Sequence, residues 1–90
     1  MQKRVHVYYS GQVQMVGFRY TSRSVAKRHP VTGWVKNLPD ERVELVAEGE
    51  ESVLKDFLND IKGEMSYCRF TENISWTEPT GEFTEFGIRF

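Results

Sequence analysis

Cys68 has no second cysteine to pair with, so the chain closes no internal disulfide and offers no thiolate pair to zinc. A reducing compartment is its simplest setting. No apolar run approaches the roughly 18 residues of a membrane span, and the opening MQKRVHVYYS carries no apolar segment of the kind an export signal needs. The expected location is cytoplasmic, away from the membrane. An excess of charge is missing too: 12 Lys and Arg against 13 Asp and Glu leave a net charge of -1, too weak a field to hold a nucleic-acid backbone. Asn73-Ile74-Ser75 spells a glycosylation sequon, which has no use without secretion.

What is present suits one domain spanning residues 1–90. With 39% hydrophobic and 28% charged residues the chain is too apolar to stay disordered, and 90 residues close a modest core without staples. Val5, Val7 and Tyr9 alternate with Arg4, His6 and Tyr8, the period of a strand with one buried face. Phe18, Ser22, Val25, Ala26 and His29 then recur at helical spacing up to Pro30, which predicts a helix over 18–28. Val31 to Lys36 is β-rich, Asn37-Leu38-Pro39-Asp40 supplies a turn, and Val43, Leu45 and Ala47 alternate with Glu44, Val46 and Glu48, which predicts a hairpin. A second helix, on the spacing of Val53, Leu54, Phe57, Leu58 and Ile61, is expected to stop at Gly63. Strand-like segments follow around Phe70 to Trp76 and Phe86 to Phe90, separated by Glu78-Pro79-Thr80-Gly81.

The order β-α-β-β-α-β with a short fifth strand predicts an α+β fold, the ferredoxin-like split βαβ sandwich, with two helices on one face of an antiparallel sheet. Right-handed crossovers then run the first two strands in the same direction with the third between them. Their ends share one edge of the sheet, about 10 Å apart at a strand spacing of ~4.8 Å. Arg19 and Asn37 fall at those two places.

The stretch GQVQMVGFRY delivers a strand into a helix N-terminus, where unpaired N–H groups and the helix dipole favour an anion. Arg19 adds a rigid fork of donors that matches phosphate, at a helix end where a cation opposes the dipole. A bound anion would offset that misfit; the plainer alternative is an exposed arginine on a βα turn. Five residues separate Gly11 from Gly17 and no Lys-Ser/Thr follows, so this is not a Walker A loop. Asn37 reads either as an ordinary turn residue or as a neutral donor and acceptor able to orient a water. His6, His29 and Cys68 lack partners at ligand or nucleophile spacing, so no metal is expected. Glu44, Glu48, Glu50 and Glu51 read as an exposed hairpin face and a helix start, and Trp34 and Trp76 as core or sheet-face aromatics.

GQVQMVGFRY, followed by GWVKNLPDERVEL, Ala47-Glu48-Gly49 and the closing Phe86-Gly87-Ile88, resembles the acylphosphatase family over nearly the whole chain. The resemblance implies a cofactor-free and metal-free cytoplasmic enzyme that hydrolyses acyl phosphates to a carboxylate and inorganic phosphate. It implies that Arg19 binds the phosphoryl oxygens together with the backbone amides of Gln12, Val13, Gln14, Met15 and Val16, and that Asn37 positions the attacking water. The partners implied are small acyl phosphates, inorganic phosphate and similar anions, with no nucleic acid and no membrane; a monomer is expected.

Departures from the family pattern are visible at three places. Met15 stands where Gln-Gly-Val is usual, Glu41 where the hairpin usually has glycine, and Glu64-Met65 where Gly-Pro usually follows the second helix. A left-handed Met15 would strain the loop by about 1 kcal/mol or more. That opens an alternative in which the shape survives as a phosphate-binding module with impaired turnover. An RNA-recognition domain of the same architecture is disfavoured, because the third strand, ERVELVAE, has no stacking aromatic.

Overall fold

The computed structural model describes residues 1 to 90. Strand β1 (Gln2–Gly11) buries Val5, Val7 and Tyr9 completely on one face, as their alternation predicts. Helix α1 (Phe18–Ala26) sets Phe18, Ser22 and Val25 against that face. It stops two residues short of Arg28, because the N–H groups of Arg28 and His29 turn to the carbonyls three residues back, Val25 and Ala26, ahead of Pro30.

Strands β2 (Thr32–Asn37) and β3 (Val43–Glu50) form the hairpin, and helix α2 (Glu51–Glu64) buries Leu54, Phe57, Leu58 and Ile61. Strands β4 (Phe70–Thr77) and β5 (Phe86–Arg89) complete the element order. In the sheet the strands lie in the order β4-β1-β3-β2-β5. Strands β1 and β2 both run antiparallel to β3, which lies between them. Four strands make the expected antiparallel sheet; β5 joins it parallel to β2, so the whole is mixed. The reason is geometric. From the end of β4 the chain crosses to the opposite edge at the same end of the sheet, and must then run alongside β2.

Gly33 is where the sheet demands glycine. At φ 140° its backbone lies so near β3 that a Cβ would come 1.9 Å from the Val46 carbonyl oxygen.

The crossing segment, residues 78–85, is held by Glu48. This carboxylate is only 5% exposed, which corrects the expectation of an exposed hairpin face. It accepts hydrogen bonds from the Thr80 N–H and hydroxyl and the Gly81 N–H, each at 2.9 Å, and from the Arg4 guanidinium at 3.2 Å. Burial alone would push its carboxyl up, but those donors and the Arg4 charge outweigh burial and hold it below the ordinary carboxylate range. This clasp sits at the end of the sheet opposite Gly11 and Asn37, so it steadies the fold without touching the loop.

Candidate functional site

Between β1 and α1 the chain bends through two left-handed residues, Met15 at φ 63° and Gly17 at φ 79°. Gly17 caps α1 without any side-chain hydrogen bond, and no acidic residue occupies the first turn. The helix therefore begins with its dipole and its N–H groups uncompensated by the chain.

The loop amides divide into two sets. Gln12 donates its N–H to the Arg69 carbonyl at 2.8 Å, and Val13 donates to Gly11 at 2.9 Å. Both are therefore engaged within the chain. Gln14, Met15 and Val16, and Gly17 after them, donate to no carbonyl; the first N–H bonded back to the loop is that of Thr21, to Gly17. Successive free N–H groups on a backbone that alternates hand form a concavity suited to anions.

Neighbouring segments fix this loop from both flanks. Toward β4, the Gln12 side chain accepts the Arg69 N–H at 3.1 Å, and the Tyr67 hydroxyl donates to the Val16 carbonyl at 3.2 Å. Toward the hairpin, the Gln14 side-chain amide donates to the carbonyls of Leu38 and Arg42, both at 2.9 Å. Val13 is buried in the core and anchors the loop from below. The side chains of Gln12, Val13 and Gln14 are thus spent on shape.

Arg19 and Asn37 meet at one recess of about 120 Å³, lined also by Val13, Met15, Gly17, Phe18 and Tyr20. That is room enough for a small anion. The Arg19 guanidinium pairs with no carboxylate, although Arg4, Arg28 and Arg42 all do. It lies 5.0 Å from the centre of the Phe90 ring and 5.9 Å from that of Tyr20, aromatic contacts that orient it without neutralising it. Asn37 ends β2 opposite Val43, at the mouth of the turn that Gln14 clasps.

A larger hollow of about 470 Å³ lies along α2 and β4, lined by Lys62, Ser66, Cys68, Phe70, Thr71 and Glu72. It gathers no comparable run of free donors, and Lys62 there already faces Glu72 at 3.7 Å. The other residues weighed from sequence have local duties. His6 sits 2.7 Å from Glu44, and His29 2.7 Å from Asp60. Trp34 lies on the open sheet face beneath Lys36 and Arg89. Tyr67 and Phe90 escaped the sequence reading, since nothing in their local pattern ties them to a loop far along the chain.

Comparison with known proteins bears on the whole chain. The family model for acylphosphatase matches residues 5–88. The chain is 42% identical over 86 residues to an acylphosphatase of Roseiflexus sp., covering 94% of this chain and 92% of that one. It is 42% identical over 87 residues to an acylphosphatase of Methylococcus capsulatus, covering 96% and 95%. Among solved structures, the acylphosphatase from Bacillus subtilis superposes with a TM-score of 0.89 at 31% identity, over 98% of this chain and 99% of that one. No helix is long and apolar enough to cross a membrane.

Proposed function

Because the chain belongs to the acylphosphatase family and is an acylphosphatase in its enzyme class, we propose that it hydrolyses acyl phosphates at the recess shared by Arg19 and Asn37. One observation carries this reading. The N–H groups of Gln14, Met15, Val16 and Gly17 bond to no carbonyl, and in the adjoining recess an arginine without a carboxylate partner stands with a side chain suited to holding a water.

In this mechanism the loop amides and Arg19 hold the three non-bridging phosphoryl oxygens. The Asn37 amide orients a water in line with the bond to be broken. Attack forms the new P–O bond as the bond to the acyl oxygen breaks, and the carboxylate departs with its electron pair. Carboxylates are stable anions, so the leaving group needs no proton. The water's proton passes to a phosphoryl oxygen, giving dihydrogen phosphate and the free carboxylate. The chain's task is positioning, together with donors aimed where charge gathers, which is most of what phosphoryl transfer asks.

Gln12 and Val13 enter this scheme through shape, since their amides are already engaged. The associated setting is a cytoplasmic monomer acting without a metal or cofactor. The alternative, a phosphate-binding module with impaired turnover, draws on Met15, whose φ of 63° is the strained conformation that alternative requires.

The deciding experiment is steady-state hydrolysis of benzoyl phosphate with a chelator present. The parent should turn over well above the spontaneous rate. Arg19→Ala and Asn37→Ala should each lose about 10²- to 10³-fold in kcat, as when a positioned donor is removed from an anion site. A parent no faster than the spontaneous reaction, yet binding inorganic phosphate, would establish the impaired module instead.

A further inference from the structure

Seven large apolar side chains of this protein are well exposed, and four of them, Met15, Tyr20, Tyr67 and Phe90, stand at the end of the sheet that holds the recess. Exposed apolar residues scattered singly need no explanation; a group of them around one hollow does. Tyr20 is 53% exposed and lines the recess, Tyr67 is 70% exposed and bonded to Val16, and Phe90 is 93% exposed and set over Arg19. Met15 is fully exposed and lines the recess as well.

Met15 is the least explicable from folding. It has a left-handed backbone, which penalises any side chain, and its thioether is not buried by any part of the protein. A long apolar side chain held at a strained position, with nothing gained inside the fold, points outward to a ligand.

Direction comes from the strand order. Strand β2, carrying Asn37, lies two places to one side of β1, while the segment bearing Tyr67 leads into β4 on the other side. Displacement is in line, so a leaving group departs on the side of phosphorus away from the water. With water at Asn37, the acyl group leaves toward the β4 flank, where Tyr67 is bonded to Val16, the residue after Met15.

We infer that Met15, which shares the recess lining with Tyr20 and precedes the Val16 that Tyr67 holds, is a specificity-determining residue that receives the acyl group and favours acyl phosphates with a bulky apolar acyl portion over small ones. This rests on the site reading proposed above. Met suits the role, since its flexible, polarisable thioether adapts to aliphatic and aromatic surfaces alike.

The test compares kcat/KM for benzoyl phosphate and for acetyl phosphate in the parent, Met15→Asn and Met15→Leu. Asn tolerates the left-handed backbone while removing the apolar surface, and Leu keeps the surface. The benzoyl-to-acetyl ratio should fall about 5- to 10-fold in Met15→Asn, the scale of one or two methylene contacts, and stay within about twofold of the parent in Met15→Leu. Thermal melts check that both variants fold. An unchanged ratio in Met15→Asn, with both substrates still hydrolysed, overturns the inference alone. A parent that hydrolyses neither substrate overturns the site reading, and this inference with it.

Discussion

The side-chain amide of Gln14 lies 2.9 Å from the carbonyl oxygen of Leu38, so the loop after β1 and the turn after Asn37 are held as one unit. A second bond, to Arg42, closes the clasp. Gln14→Leu has nearly the same bulk but leaves both carbonyls without that donor. It should cost about 1–2 kcal/mol of stability and lower kcat/KM about 10- to 100-fold, because small displacements between a water and its target carry large penalties. Chemical denaturation and benzoyl phosphate kinetics measure the two effects. Lost stability with unchanged kinetics would make the clasp purely structural.

Met15 and Glu41 are the two non-glycine residues with positive φ, at 63° and 74°. Relieving strain at either should help, offset by the extra freedom glycine has when unfolded. Met15→Gly and Glu41→Gly should each change stability by between zero and about +1 kcal/mol. Only Met15→Gly should alter kinetics, because Glu41 lies outside the recess. Urea unfolding midpoints and paired assays on the two variants check this.

Tyr9 is wholly buried, yet its hydroxyl finds no hydrogen-bond partner. Its ring packs 4.5 Å from that of Phe18, and burial pushes the phenol well above its ordinary range. Tyr9→Phe removes an unsatisfied group and keeps the packing, so it should stabilise the protein by about 1 kcal/mol. A melting temperature below the parent's would show that the hydroxyl has a partner, such as a buried water.

Glu48 makes folding sensitive to acid. Its carboxyl titrates lower in the folded protein than in the unfolded chain. Its contribution is therefore complete above the unfolded value, about 4.3, and disappears as pH falls through the lower folded value. Glu48→Gln should cost about 2–3 kcal/mol at pH 7, since Arg4 and the strap lose a buried anion. The gap from the parent should narrow below pH 4. Unfolding curves at pH 7 and pH 3 supply the comparison.

Much of this architecture was legible in the sequence because periodicity is a local signal. The alternation of Val5, Val7 and Tyr9 and the helical spacing around Phe57 each reflect one buried face. The hand of crossovers then predicted where the ends of β1 and β2 would lie relative to each other. What escaped depends on partners distant in the chain. That Gln12 is tied down through both its amide and its side chain could not be read without knowing that Arg69, 57 residues beyond it, pairs there. Glu48 looked like one more acidic residue on an alternating strand until residues 78–85 were seen to fold over it. The backbone hand at Met15 was readable only as a condition, because a methionine does not announce positive φ as a glycine would.

Strand β1 takes its two neighbours from far along the chain: Tyr9 lies opposite Val43 and Glu72, and Gly11 opposite Phe70. The loop that follows β1 thus has no fixed flank until both distant pairings exist, and closing such long spans is entropically slow. Refolding should take milliseconds to seconds, at the slow end for a mixed α/β chain of this size. A chain caught with β1–β3 formed but β4 undocked would have much of its core and no ordered recess. The appearance of activity would then report the last pairing step.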